Sequence, residues 1–131
     1  MIGMHRVLLT LAEKMMNGCF AAVPRHKPVR IEGAKLIAHR GAHNNVRGVL
    51  ENTHEAFRLA QSVGCWGLEL DVHATVDDVL VVNHDPTLNR LWGHDCSIVD
   101  LSFNELRDLE PGIPSLDEVV SEYGKKMHLF I

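Results

Sequence analysis

The sequence predicts an α/β fold built around a mainly parallel sheet. Short apolar runs alternate with segments of helical periodicity, a pattern typical of strands joined by crossover helices. Ionisable residues close three of the strand-like runs, which is where α/β proteins concentrate their functional groups. The 131 residues are 46% hydrophobic and 23% charged, which is sufficient for one small core and one domain.

Residues 1–33 predict an N-terminal helix followed by a connector. Glu13 and Lys14 interrupt the apolar stretch, so it is too short to span a bilayer. A packing helix is favoured over a membrane-surface helix because the polar side carries few basic residues. Residues 17–33 contain two prolines and scattered basic residues, as connectors do. The residues with helical spacing are Val7, Leu8, Leu11 and Met15.

The first strand and helix of the main domain, residues 34–131, are predicted next. The run AKLIA (34–38) is short and apolar and ends at His39-Arg40-Gly41. The segment NTHEAFRLAQSVG (52–64) places apolar residues on one helical face. Asn52 or Thr53 would cap its start and Gly64 would end it.

The stretch LELDVHATVDDVLVVNHD (68–85) begins with alternating apolar and polar residues (68–73), as a strand does, and resumes as the apolar run LVVN (80–83) after Asp77-Asp78. If Asp77 and Asp78 are the central residues of a two-residue turn, the strands form a hairpin. Asp71 would then face His84 with Cβ atoms roughly 5 Å apart. A longer connection to a parallel strand is the alternative.

The last third of the chain predicts a loop, two helices and a strand. PTLNRLWGHD (86–95) has the composition of a loop. The segments that begin at Ser102 and Ser115 each carry a Glu three residues later, which is the capping-box pattern at the start of a helix. The final run, MHLFI (127–131), predicts a strand.

Charged residues at predicted strand ends suggest phosphoryl chemistry. Buried carboxylates at Glu69 and Asp71 would be unfavourable without a counter-charge, and a hard divalent cation would supply one. His39 and His84 suit general acid and base roles at neutral pH. The guanidinium of Arg40 matches phosphate oxygens. These groups together indicate hydrolysis or transfer at phosphorus.

Simpler interpretations exist for each residue taken alone. Glu69 and Asp71 could lie on the solvated face of an edge strand, and His39 could be a hydrogen-bonded structural histidine. Glu51 could be an acid favoured by the dipole in the first turn of a helix. Four further histidines (43, 54, 73 and 94) have no partner pattern and are expected to be structural or exposed.

The net charge and the cysteine content limit which binding partners and which cell compartment are expected. The net charge of −4 argues against a nucleic-acid or anionic-membrane surface, which usually needs a basic face. Three widely separated cysteines do not suggest a disulfide framework, so we expect reduced thiols and a cytoplasmic protein. Zinc is less favoured than calcium or magnesium because no cysteine stands at ligand spacing to a histidine.

An ordered set of motifs resembles the glycerophosphodiester phosphodiesterase family. The motifs are IAHRG (37–41), ENT with AF (51–57), ELDV (69–72), T-x-D (75–77), VVNHD (81–85), L-x-R (88–90) and IPSLDEVV (113–120). The resemblance extends from about Ala34 to the last residue. It implies a TIM-type (β/α)₈ barrel that cleaves glycerophosphodiesters, which are small molecules, to glycerol 3-phosphate and an alcohol.

The resemblance also assigns roles to individual residues. His39 and His84 would be the general acid–base pair and Arg40 a phosphate contact. Glu69 and Asp71 would bind a divalent cation, Ca²⁺ or Mg²⁺. Glu51 and Asn52 would order the groups around the site without entering the chemistry.

A full barrel needs roughly 250 residues, so these residues are expected to be roughly its first half. The family's Glu-x-Lys motif, with a third metal ligand and a phosphate-contacting lysine, would then follow Ile131. A catalytically incomplete fragment is therefore one alternative. A related lysophospholipase D-like enzyme is another. The sequence predicts no oligomeric state.

Overall fold

The structure, a computed structural model, describes residues 33–131, and Ala34–Ile131 form one compact unit. The predicted N-terminal helix and most of the connector lie outside the described residues. In the described part, no helix is long and apolar enough to cross a membrane. In chain order the elements are β1 (Ile37–His39), a 3₁₀ turn (Asn45–Arg47), α1 (His54–Ser62), β2 (Gly67–Glu69), β3 (Val72–Ala74), β4 (Leu80–Val82), α2 (Asn89–Trp92), a second 3₁₀ turn (Ile98–Asp100), α3 (Phe103–Leu109), α4 (Leu116–Tyr123) and β5 (His128–Phe130).

Three strands form a parallel sheet in the order β1-β2-β5, which confirms the predicted α/β class. The register pairs His39 with Glu69, and Glu69 in turn with Phe130. Parallel strands run in one direction, so their carboxyl ends lie at one edge of the sheet. His39 and Glu69 are therefore neighbours at that edge.

Helix α1 covers the sheet with its apolar face. Its start is the predicted one, since the Thr53 side chain caps the helix by accepting a hydrogen bond from the Ala56 amide. Phe57 and Ala60 on α1 are fully buried with Leu68 of β2 and Tyr123 of α4. Burial of side chains such as Phe and Leu contributes about 1.5–3 kcal/mol each. This packing fixes the strand ends on which the charged residues stand.

The strand predicted through residues 68–74 is two strands. β2 belongs to the parallel sheet, whereas β3 pairs antiparallel with β4 in a separate ribbon. Leu70 and Asp71 lie between them. The Leu70 amide donates to the Phe130 carbonyl of β5 at 2.9 Å, so the chain leaves the sheet only after that bond. Apolar and polar residues keep alternating through Leu70 and Asp71, so the sequence pattern does not show that one strand ends and another begins there.

The β3–β4 hairpin is confirmed, but the predicted register is wrong by one residue. Ala74 pairs with Leu80, and the connection has five residues rather than two. Thr75 explains the longer turn, because its hydroxyl donates to Asp77 Oδ1 at 2.6 Å and accepts from the Val79 amide at 3.0 Å. With this turn, only Asp78 requires a positive φ, of 59°.

The shifted register changes the partner of Asp71. Its carbonyl accepts a hydrogen bond from the Asn83 amide at 3.0 Å, so Asp71 lies beside Asn83 and not opposite His84. A slip of one residue moves each side chain to the other face of the ribbon. His84 must therefore reach the site by a different route from the one predicted.

The later helices begin where the sequence places them. Both capping boxes are present, at Ser102 with Glu105 and at Ser115 with Glu118, and β5 is the predicted final strand. The expected loop at 86–95 is partly wrong, because it contains the short helix α2. A second apolar cluster supports this half of the unit and comprises Val81, Leu88, Ile98, Leu106 and Ile113.

Candidate active site

Arg40 is the centre of the candidate site. It directly follows β1 with a φ of 54°, and its amide donates to both the backbone carbonyl and the Oε2 of Glu69, at 2.9 and 3.1 Å. Its Nη1 donates to Glu51 Oε1 at 3.2 Å. Its Nε lies 3.3 Å from Asp71 Oδ2, an ion-pair distance. One residue therefore gathers three carboxylates at the edge of the sheet.

Glu51 is a buried anion shared by two guanidinium groups. Its carboxylate accepts from Arg40, from Arg90 Nη2 at 2.5 Å and from Asn45 Nδ2 at 2.8 Å. Burial alone would raise the pKa of Glu51, but the bonds from Arg90 and Asn45 and the two positive charges lower it to about 2. The residue precedes the N-cap Thr53, so the interpretation as a first-turn helix acid is wrong.

Asn52 holds Arg40 and Asp71 in place. It is buried and adopts a φ of 58°. Its amide donates to the Arg40 carbonyl at 3.0 Å, and its Nδ2 donates to Asp71 Oδ2 at 3.1 Å. Arg40 and Asn52, which are joined by this backbone hydrogen bond, both have a left-handed backbone conformation although neither is a glycine. Backbone strain of this kind clusters at functional sites. The role expected of Asn52, ordering the groups around the site, stays a prediction.

The two candidate histidines join this network through different partners. His39 projects its ring outward, with the side chain 67% exposed, and its Nε2 lies 3.9 Å from Glu69 Oε2. His84 Nδ1 lies 2.7 Å from Asp85 Oδ1. Asp85 Oδ2 accepts from Arg90 Nε at 2.5 Å, so His84 connects to Glu51 through Asp85 and Arg90.

The carboxylates at this edge suit a hard cation only in part. Glu69 and Asp71 offer oxygen ligands of the type that Ca²⁺ and Mg²⁺ prefer. Asp71 Oδ2 is already engaged by Asn52, which leaves its other oxygen. Within residues 33–131, no group of three His, Cys, Asp or Glu residues is arranged to hold a metal ion. The buried Asn52 Oδ1 has no hydrogen-bond partner among the described residues, and an amide oxygen is also a hard-cation ligand.

Sequence reasoning did not assign Asp85, Arg90 or Asn45 to the site. Asp85 had a signal, since it directly follows His84, and Arg90 stands in the L-x-R motif. No local pattern could pair Arg90 with Glu51, which is 39 residues away. The expectation that His84-Asp85 closes a third strand of the parallel sheet is wrong, because β4 lies outside that sheet.

A cavity of about 410 Å³ lies apart from these groups, beside the start of α1. Its lining includes Leu50, His54, Arg58, Trp92 and Pro111 but none of His39, Arg40, Glu69, Asp71 and His84. The candidate site is an open edge with charged walls, not this cavity.

Comparison with known proteins agrees with the motifs. Residues 39–130 match the glycerophosphoryl diester phosphodiesterase family. A glycerophosphodiester phosphodiesterase from Caldanaerobacter subterraneus subsp. tengcongensis is 38% identical over 102 residues, covering 70% of this chain and 41% of that protein. The crystal structure of the Thermotoga maritima glycerophosphodiester phosphodiesterase aligns with a TM-score of 0.65 and 37% identity, over 80% of this chain and 43% of that one.

A third relative was solved with a ligand. An Oleispira antarctica phosphodiesterase, in complex with the product sn-glycerol-3-phosphate, aligns with a TM-score of 0.58 and 31% identity, over 73% of this chain and 42% of that one. The chain spans less than half the length of each of these relatives. It belongs to the glycerophosphoryl diester phosphodiesterase family, and its described residues form part of that family's TIM barrel.

Proposed function

We propose that this chain supplies the phosphate-binding and acid–base part of a metal-dependent phosphodiesterase that converts glycerophosphodiesters to glycerol 3-phosphate and an alcohol. The observation that carries the proposal is the position of Arg40, held among Glu51, Glu69 and Asp71 at the edge that also bears His39. The Oleispira relative with bound sn-glycerol-3-phosphate supports the substrate class.

Arg40 would bind the phosphodiester. Its Nη1 donates to Glu51, so that carboxylate fixes the plane of the guanidinium, and the remaining terminal N–H groups would bind the substrate. A fixed cationic fork offsets the charge that develops on the phosphoryl oxygens. Because the Arg40 side chain is only 18% exposed, the electrostatic effect is stronger than it would be in bulk water.

The two imidazoles would move the protons. One removes a proton from the attacking oxygen, and the other donates a proton to the departing alkoxide. His39 and His84 are both partly open to solvent, at 67% and 39% side-chain exposure, so each can exchange its proton between turnovers. A bound Ca²⁺ or Mg²⁺, held by Glu69 and Asp71, would supply Lewis-acid polarisation of a phosphoryl oxygen.

The activity can be tested by ³¹P NMR on glycerophosphocholine with calcium or magnesium present, using this chain extended to the full length of its relatives. We expect conversion of the phosphodiester signal to that of glycerol 3-phosphate. His39→Ala and His84→Ala should each lower turnover by about 10²-fold or more, the usual scale for loss of an acid or base. His94→Ala is the control, because His94 pairs with Glu110 outside the site. Turnover that is absent, or that survives in both site variants, would refute the proposal.

Cation binding can be measured without turnover. Calcium or magnesium should raise the melting temperature of the protein through mass action. The shift should be lost in Glu69→Gln and Asp71→Asn and kept in Asp100→Asn, where an exposed carboxylate is removed. An equal shift in all four proteins would exclude these two ligands.

A cytoplasmic location stays a prediction. Faster hydrolysis of a lysophospholipid than of glycerophosphocholine would favour the lysophospholipase D alternative.

A further inference from the structure

The Asp85–Arg90 pair stands between His84 and the buried anion Glu51, and neither residue has an assigned role. Asp85 Oδ1 is 2.7 Å from His84 Nδ1, and its Oδ2 accepts from Arg90 Nε at 2.5 Å. Arg90 uses a second arm, Nη2, to donate to Glu51 Oε1 at 2.5 Å. The same Glu51 oxygen accepts from Arg40. A continuous chain of alternating charges therefore links the imidazole to the phosphate-binding arginine.

Hydrogen bonds also fix the backbone around His84. The Asn83 side chain donates to the Asp85 carbonyl at 2.7 Å and accepts from Trp92 Nε1 at 2.9 Å. Asn83 is buried, so these bonds are shielded from water. His73 Nε2 donates to the His84 carbonyl at 3.0 Å. The segment can therefore present His84 in one orientation.

The carboxylate beside His84 decides which ring nitrogen carries the proton. Hydrogen bonds from Arg90 and from His84 lower the pKa of Asp85, so this carboxyl is ionised and can only accept. The proton of the neutral imidazole must then lie on Nδ1, and Nε2 keeps the lone pair. In general, the tautomer of a histidine is set by the hydrogen bond that its other nitrogen makes.

We infer that Asp85 and Arg90 are positioning residues that fix His84 as the Nδ1–H tautomer, with Arg90 orienting the Asp85 carboxylate against the buried anchor Glu51. The meaning of this tautomer for catalysis rests on the proposed function, in which Nε2 of His84 faces the reacting groups. Arg90 suits the task because its guanidinium bridges two carboxylates with fixed geometry. Stability is a weaker explanation for the Asp85 end of this bridge, since the side chains of Arg90 and Asp85 are 49% and 21% exposed and exposed ion pairs contribute little.

The isosteric variant Asp85→Asn makes the inference testable. Arg90 Nε–H requires an acceptor, so it should draw the new amide oxygen toward itself. The amide NH₂ would then face His84 Nδ1 and donate to it, which forces the ring proton onto Nε2. Adding Arg90→Gln should release the amide, let its oxygen turn to His84, and restore the Nδ1–H form.

The experiment is long-range ¹H–¹⁵N correlation spectroscopy of the histidine rings at a pH where His84 is neutral, with its signals assigned by their loss in His84→Gln. We expect mainly Nδ1–H in the wild type. The tautomer ratio should change by roughly 10-fold or more toward Nε2–H in Asp85→Asn, and should return toward Nδ1–H in Asp85→Asn/Arg90→Gln. The control Arg107→Gln, which removes an arginine paired with Glu118, should match the wild type.

A wild-type tautomer retained in Asp85→Asn would overturn the role of Asp85. A double variant that matches Asp85→Asn would overturn the role of Arg90. The tautomer measurement needs no turnover, so this inference and the proposed function can be refuted independently of each other. The expected tautomer pattern without hydrolysis would refute the proposed function alone, whereas hydrolysis without that pattern would refute this inference alone.

Discussion

Replacing Glu51 by glutamine should destabilise the protein by about 3 kcal/mol at pH 7. The structure holds the pKa of Glu51 at about 2 instead of 4.5, and each pKa unit corresponds to about 1.4 kcal/mol. The side chain is only 4% exposed, so solvent screens these interactions little. Removing one partner of a buried ion pair typically costs about 3–5 kcal/mol, which agrees in size.

The cost should also depend on pH in a defined direction. The folded-state pKa of Glu51 lies below the unfolded value, so its ionised form stabilises the fold fully above about pH 4.5. That contribution is lost as the pH falls toward 2. At pH 3.5 the difference between wild type and Glu51→Gln should have fallen to about 2 kcal/mol.

Urea denaturation of both proteins at pH 7 and at pH 3.5 measures these differences. Glu118→Gln is the matched control, because Glu118 pairs with Arg107 at the surface, 43% exposed, and glutamine can keep the capping box. We expect it to cost less than about 1 kcal/mol. A Glu51→Gln variant as stable as this control, or equally destabilised at both pH values, would refute the buried bridging role of Glu51.

Two backbone predictions can be checked by the same denaturation experiments. Gly41→Ala should cost about 2 kcal/mol or more, because Gly41 has a φ of +79° and an added Cβ would lie 2.7 Å from Ala56 Cβ. Gly48→Ala is the control, because Gly48 has a φ of +87° but nothing lies within 4 Å of an added Cβ, and it should cost only about 1–2 kcal/mol. An equal cost at both sites would contradict the close approach of Gly41 to Ala56. Asp78→Gly should stabilise the protein by up to about 1 kcal/mol by relieving its left-handed backbone. Asp77→Gly should destabilise it, because Asp77 Oδ1 accepts from Thr75 and from the Phe103 amide.

The sequence predicted the elements whose signals are local. The helix capped by Thr53 and the two helices that begin after Ser102 and Ser115 carry their start signals within four residues. Apolar runs located β1 and β5 for the same reason. Periodicity could not show that residues 68–74 leave one sheet and enter another, because both strands keep the alternation.

The site residues also divide into those that have a local sequence signal and those that do not. His39, Arg40, Glu69 and Asp71 follow from strand ends, and β1 and β2 are adjacent in the sheet. The hairpin register failed because Thr75 builds a five-residue turn from side-chain bonds, which the Asp-Asp sequence does not reveal. The Glu51–Arg90 pair depends on how α2 packs after the hairpin, a tertiary contact without a sequence period.

The most direct test of the central claim is a backbone amide NMR titration with glycerol 3-phosphate in the presence of calcium. If Arg40, the carboxylates and the histidines form a phosphate site at the carboxyl edge of the sheet, saturable shifts should concentrate at Arg40, Glu69 and His84. Shifts that concentrate instead at Arg58 and the cavity beside α1, or no saturable shifts at all, would contradict the account.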